Sequence, residues 1–144
     1  MADTRYLRAT VEPYVRERLA EEHGRPFASQ RVKLRAGGDH EFDAVSDDGT
    51  VVCAIKTASG RTATGKVPAG KFKDAEAELY YLTQIAAPTR ILILTTPEFH
   101  DLMKRRLQGR LDPGISLRLM QLPADMQARV TIIQRSASAE MGTR

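Results

Sequence analysis

Tryptophan is absent from this 144-residue chain, cysteine occurs once, and aromatic residues make up only 6%. The lone Cys53 excludes an intrachain disulfide and fits a reducing cytoplasm, where the chain is expected to work. No apolar run approaches the roughly 20 residues of a membrane-spanning helix, so no membrane partner is expected. The opening stretch MADTRYLRATVE is charged from its start and lacks the apolar core of a signal peptide. No His/Cys grouping has the spacing of a zinc site, and no internal repeat is visible. What is present is ordinary for a folded domain: 42% hydrophobic and 28% charged residues. The length suits one domain that buries about two-thirds of its unfolded surface. A net charge of +4 and a pI near 9.5 are compatible with a polyanionic partner but do not require one.

The periodicities predict an α/β chain. Leu7, Val11, Tyr14, Val15 and Leu19 recur at helical spacing from about Thr4 to Glu22, and His23-Gly24 ends the run. Pro13 conflicts with an unbroken helix. Either the helix starts near Thr10, with Pro13 in its first turn, or it kinks there. Gln30 to Arg35, His40 to Ser46 and Thr50 to Thr57 read as three strands, with Gly37-Gly38 and Asp48-Gly49 as the turns. Residues 58–70 are rich in Gly, Ser and Thr and read as a loop. Phe72, Ala75, Leu79, Leu82 and Ile85 line one side of a helix over Lys71 to Ala86. The run RILILT is a buried central strand. Thr96-Pro97-Glu98 starts a basic amphipathic helix that continues to Gln108. Ile115 to Leu122 alternates as an edge strand, and a last helix follows Pro123. The expected architecture is a mixed sheet, an antiparallel three-strand meander plus crossover strands, flanked by helices. Residues 1–136 form the single domain and 137–144 a flexible tail.

The segment EFDAVSDDGTVVCAIKT carries the chemistry. A two-residue Asp48-Gly49 turn opposes Val45 to Val52, Asp43 to Ala54 and Glu41 to Lys56. Alternation then gives Asp43, Ala54, Lys56 and Glu41 one face, and Phe42, Ala44, Cys53 and Ile55 the other. Opposed residues have Cβ atoms roughly 5 Å apart, so an acid at position 54 would share a hard cation with Asp43. Phosphodiester hydrolysis uses such a pair to hold the metal and a lysine to orient or polarise the attacking water. A plain cross-strand ion pair between Asp43 and Lys56 accounts for the same two residues.

On these residues the chain resembles the PD-(D/E)XK, or restriction-endonuclease-like, nuclease superfamily, with its core of helix, three strands, helix and strand. The similarity covers about Val11 to Leu94. It implies a nuclease that hydrolyses phosphodiester bonds in DNA, with RNA also a candidate substrate, using Mg²⁺ or Mn²⁺. Asp43 matches the first acid, Lys56 the motif lysine, Glu12 the acid that many members place on the first helix, and Ile55 the residue whose backbone carbonyl joins the metal shell. The departure is Ala54, which stands where the second acid belongs, so little or no cleavage is expected of the chain as written. Three accounts of the alanine remain open. It is an engineered inactivation, or the mark of a natural non-catalytic descendant kept for nucleic-acid binding or protein assembly, or a site whose acid comes from Glu41 or Glu12. The resemblance also implies a homo-oligomer or a targeting partner protein, since no sequence-reading module is visible.

Other polar residues carry plainer expectations. Arg61, Lys66, Lys71 and Lys73 follow the motif strand and are candidate phosphate contacts. SGRTATGK is not a Walker A loop. Lys104, Arg105 and Arg106 read as a solvated helix face, Tyr80 and Tyr81 as core and rim, and Cys53 as a small buried hydrophobe. His40 lies beside the hairpin with no assigned role.

Overall fold

A computed structural model describes residues 4–59 and 69–142. The chain opens with a helical segment in three pieces: α1 (Thr4–Tyr6), a π-helical turn (Leu7–Val11) and α2 (Glu12–His23). The π turn resolves the Pro13 conflict. Proline has no amide to donate and its ring crowds the carbonyl four residues back. Here the amide of Glu12 reaches back five residues to the Leu7 carbonyl, and α2 restarts with Pro13 in its first turn. Gly24, at φ +68°, ends α2, as the sequence predicts.

Strands β1 (Phe27–Lys33), β2 (Asp39–Ser46) and β3 (Val51–Lys56) form the antiparallel meander. Helix α3 (Ala69–Thr83) then crosses to β4 (Thr89–Leu94), parallel to β3. Helix α4 (Pro97–Arg106) crosses to β5 (Ile115–Leu119), parallel to β4, and α5 (Ala124–Gly142) closes the chain. The sheet order is β1-β2-β3-β4-β5. Thr96 caps α4 by accepting from the Phe99 amide, and Lys104, Arg105 and Arg106 sit in the last turn, where cations suit the helix dipole. Helix α5 runs on to Gly142, into the stretch expected as a tail. Among the described residues no helix is long and apolar enough to cross a membrane.

The sheet is the middle of three layers. Val52, Ala54, Leu92 and Leu94 face α3 and α4, packing on Ala75, Leu79, Leu82, Phe99 and Met103. Val51, Cys53, Ile55, Ile91 and Ile93 face α2 and α5, packing on Val11, Val15, Leu19 and Val130. Alternate residues of β3 and β4 are therefore apolar on both faces, which is why RILILT and VVCAI read as continuous hydrophobic runs.

One expectation about faces fails on β2. Val45 and Phe42 both lie on the α3/α4 side, while Ala44 lies on the α2/α5 side. Strict alternation forbids that for Phe42 and Ala44. The register explains it: β1 pairs Ala28 with Val45 but Gln30 with Phe42, so Ser29 opposes two residues, Asp43 and Ala44. This bulge turns the outer part of β2 over. Phe42, not Glu41, joins the face of Ala54, and Glu41 is turned toward α2 instead of facing Lys56. Asp43, caught in the bulge, does not pair opposite Ala54 as expected, because the β2–β3 ladder ends at Ala44 and Cys53.

Candidate functional site

The β2–β3 turn sets the register from which the site follows. The Asp48 carboxylate accepts from Ser46 Oγ at 2.7 Å, from the Thr50 amide at 3.1 Å and from Thr50 Oγ1 at 2.8 Å. Those bonds hold its pKa down at about 2. Gly49 takes φ +74°, a conformation that a side chain would strain, and its amide closes onto the Ser46 carbonyl. Val45 then pairs with Val52, the expected register, and Ala44 with Cys53. There the ladder stops.

Asp43 sits where the ladder stops, at the bulge, and its side chain replaces the missing backbone bond. Its Oδ2 accepts from the Ile55 amide at 2.8 Å. Its own carbonyl accepts from Arg16 Nη1, also at 2.8 Å. Arg16 belongs to α2, one helical turn beyond Glu12, whose Oε1 lies 3.7 Å from the same Nη1. Lys56 ends β3 on the face of Ala54, and its charge favours the Asp43 carboxylate. The structure thus gathers Asp43, Glu12, Arg16 and Lys56 around the point where β2 leaves β3.

Burial dominates the titration of both acids. It raises the Asp43 pKa, against the Ile55 amide, Lys56, Arg16 and His40, which lower it. Burial also raises Glu12, and repulsion from Asp43 and Glu41 adds to it, while Arg16 and Arg8 oppose. Glu41 therefore acts on the α2 side of the sheet, consistent with the bulge.

Ala54 is fully buried and packs with Phe42, Val52, Leu79 and Leu92. It adds no donor. Among the described residues no three His, Cys, Asp or Glu side chains group closely enough to hold a metal ion. With one Asp43 oxygen taken by an amide and a guanidinium beside Glu12, the residues present do not fit a hard divalent cation, which wants several oxygen ligands.

Of the expected phosphate contacts, Lys71 and Lys73 are exposed on the first turns of α3, and Arg61 and Lys66 lie outside the described residues. The Arg106 guanidinium stacks over Phe72 at 4.9 Å, which brings the basic end of α4 beside Lys71 and Lys73. His40 is fixed on α3. Its Nε2 lies 3.1 Å from Glu78 Oε2, and its ring stacks on Tyr81 at 3.8 Å. Cys53 is buried, and its thiol pKa is pushed up to about 12.

Arg16 is the site residue that the sequence reading passed over. Its signal was available in the i, i+4 spacing from Glu12. No family model, curated protein or solved structure matches the chain.

Proposed function

We propose that this chain is a nuclease-type domain of the PD-(D/E)XK kind, by descent a phosphodiesterase on DNA, whose cleavage site is silent as it stands. The observation that carries the reading is Asp43 held against the end of β3, with Lys56 two residues beyond a buried alanine, on a helix, three strands, helix and strand. A lysine and an acid at a seam between diverging strands suit a phosphate oxygen and a water. The methyl group at 54 removes the second carboxylate that hydrolysis needs. Mg²⁺ or Mn²⁺ belongs to the active form, not to this one.

A second reading is favoured by the satisfied state of Asp43: a non-catalytic module that binds nucleic acid through Lys71, Lys73 and the end of α4. Its affinity would fall steeply with salt and ignore position 54.

The test compares the chain with Ala54→Glu and the shorter Ala54→Asp. Single- and double-stranded DNA and RNA are supplied with Mg²⁺, Mn²⁺ or EDTA, and circular dichroism establishes that each variant is folded. Metal-dependent cleavage by an acid variant alone is the expected result. If both variants fold, bind DNA and cut nothing, the catalytic reading fails and the binding module remains.

A further inference from the structure

Asp43 and Glu41 both repel Glu12, so this cluster of acids calls for cations beside it. Those cations are present. Arg16, Arg8 and Lys56 are the cations that act on Glu12 and Asp43, three against three carboxylates, with His40 the remaining titratable group facing Asp43. Of these, only Arg16 touches both sides. One nitrogen, Nη1, meets the Asp43 carbonyl at 2.8 Å and approaches Glu12 Oε1 at 3.7 Å. The side chains of Arg16 and Glu12 are only 19% and 26% exposed, so solvent screens the interaction weakly.

We infer that Arg16 is the built-in counter-cation of this cluster, filling from α2 the place that a divalent ion would take between Glu12 and Asp43. The inference stands on the contacts of Arg16 and holds whether or not the domain descends from a nuclease. A guanidinium is always charged, carries its donors in a rigid fork, and comes already tethered. Its charge, which acts on both carboxylates, repels any divalent ion that approaches them. The guanidinium at 16 therefore disfavours metal at the cluster independently of the methyl group at 54, which packs on the α3/α4 face of the sheet.

A purely structural Arg16 would pin α2 to β2 and nothing more, and metal binding separates the two roles. Mn²⁺ is titrated into the chain, into Arg16→Gln, which keeps a donor but drops the charge, and into Arg16→Lys, which keeps the charge. Binding is read from the free-ion electron paramagnetic resonance signal at neutral pH. Arg16→Gln is expected to bind Mn²⁺ at least about tenfold more tightly than the unaltered chain, and Arg16→Lys to match the unaltered chain. A folded Arg16→Gln that binds no better overturns the inference, as does an unaltered chain that already binds as tightly. Should Arg16→Gln fold only when Mn²⁺ is present, the ion has replaced the guanidinium. If neither Arg16→Gln nor Arg16→Met folds even with excess Mn²⁺, no divalent ion can stand in for Arg16, and the inference is lost. Cleavage by the position-54 variants is read separately, so its failure leaves this result untouched.

Discussion

The Asp43 carboxylate accepts the Ile55 amide at 2.8 Å, across the seam where β2 and β3 cease to pair. An amide buried in a sheet and left unmet costs about 1–3 kcal/mol. Asp43→Ala removes the acceptor, whereas Asp43→Asn keeps an oxygen there and sheds the desolvated charge. The asparagine variant should be the more stable of the two by about 1–3 kcal/mol in urea unfolding. Equal stabilities would mean that the hydrogen bond contributes nothing to the seam.

The same burial gives stability a pH dependence of defined sign. Asp43 and Glu12 are raised above their ordinary values of 3.8 and 4.5, so the folded chain holds these protons to higher pH than the unfolded chain does. Their contribution is fully present below those ordinary values and is lost as pH rises through the raised ones. Asp48 runs the other way. Held down at about 2, it stabilises above 3.8 and loses that contribution as pH falls toward 2. The double variant Glu12→Gln, Asp43→Asn should therefore flatten the decline in melting temperature as pH rises above about 4, while the loss in acid, to which Asp48 and Glu22 both contribute, persists. An unchanged decline in the double variant would assign it to other groups.

His40 ties the outer part of β2, beyond the bulge, to α3. Its ring is stacked on Tyr81 and set edge-on to Phe42 at 4.9 Å, and its Nε2 faces Glu78. His40→Ala should cost about 1–3 kcal/mol from the stacking and the polar contact together. Amide exchange should accelerate in the β1–β2 hairpin before β4 is affected, because the lost contacts hold only that hairpin down. Acceleration spread evenly over the sheet would show that the hairpin does not open on its own.

Much of this arrangement was legible because the signals were local. The Asp48-Gly49 turn announced the register that Val45 and Val52 keep, and Thr96-Pro97-Glu98 announced the start of α4. RILILT read as a central strand because both its faces are buried. The bulge at Asp43 was not legible. It arises from how β1 pairs with β2, and period-two alternation cannot register one extra residue in one strand. That single residue moved Phe42 and Glu41 each to the face opposite the one alternation predicts. The π turn before Pro13 was half legible: the conflict showed in the sequence, its resolution only in the backbone. Arg16 could be paired with Glu12 from spacing alone. Its reach to the Asp43 carbonyl depends on how Val11, Val15 and Leu19 seat α2 on the sheet, which no spacing records.

Cys53 offers a probe of that seam without any added label site. It pairs with Ala44 in the last rung before the ladder stops, it is fully buried, and its thiol is pushed from 9.0 up to about 12. Burial is the first cause and nearby Asp43 adds to it, whereas Arg118 opposes. Only the thiolate attacks a disulfide reagent, so the raised pKa alone cuts the reactive fraction steeply, before steric exclusion is counted. The folded chain should react with Ellman's reagent at a small fraction of the rate seen in urea, and only through opening of the structure. If the opening is local to the seam, Asp43→Ala will speed labelling more than its loss of global stability requires. Leu102→Ala, which loosens α4 on the other side of the sheet from Cys53, will speed labelling only in proportion to its own global loss. Labelling that tracks global stability alike in both variants would leave the seam no weaker than the rest of the sheet. A thiol that reacts freely in the folded chain would contradict its burial outright.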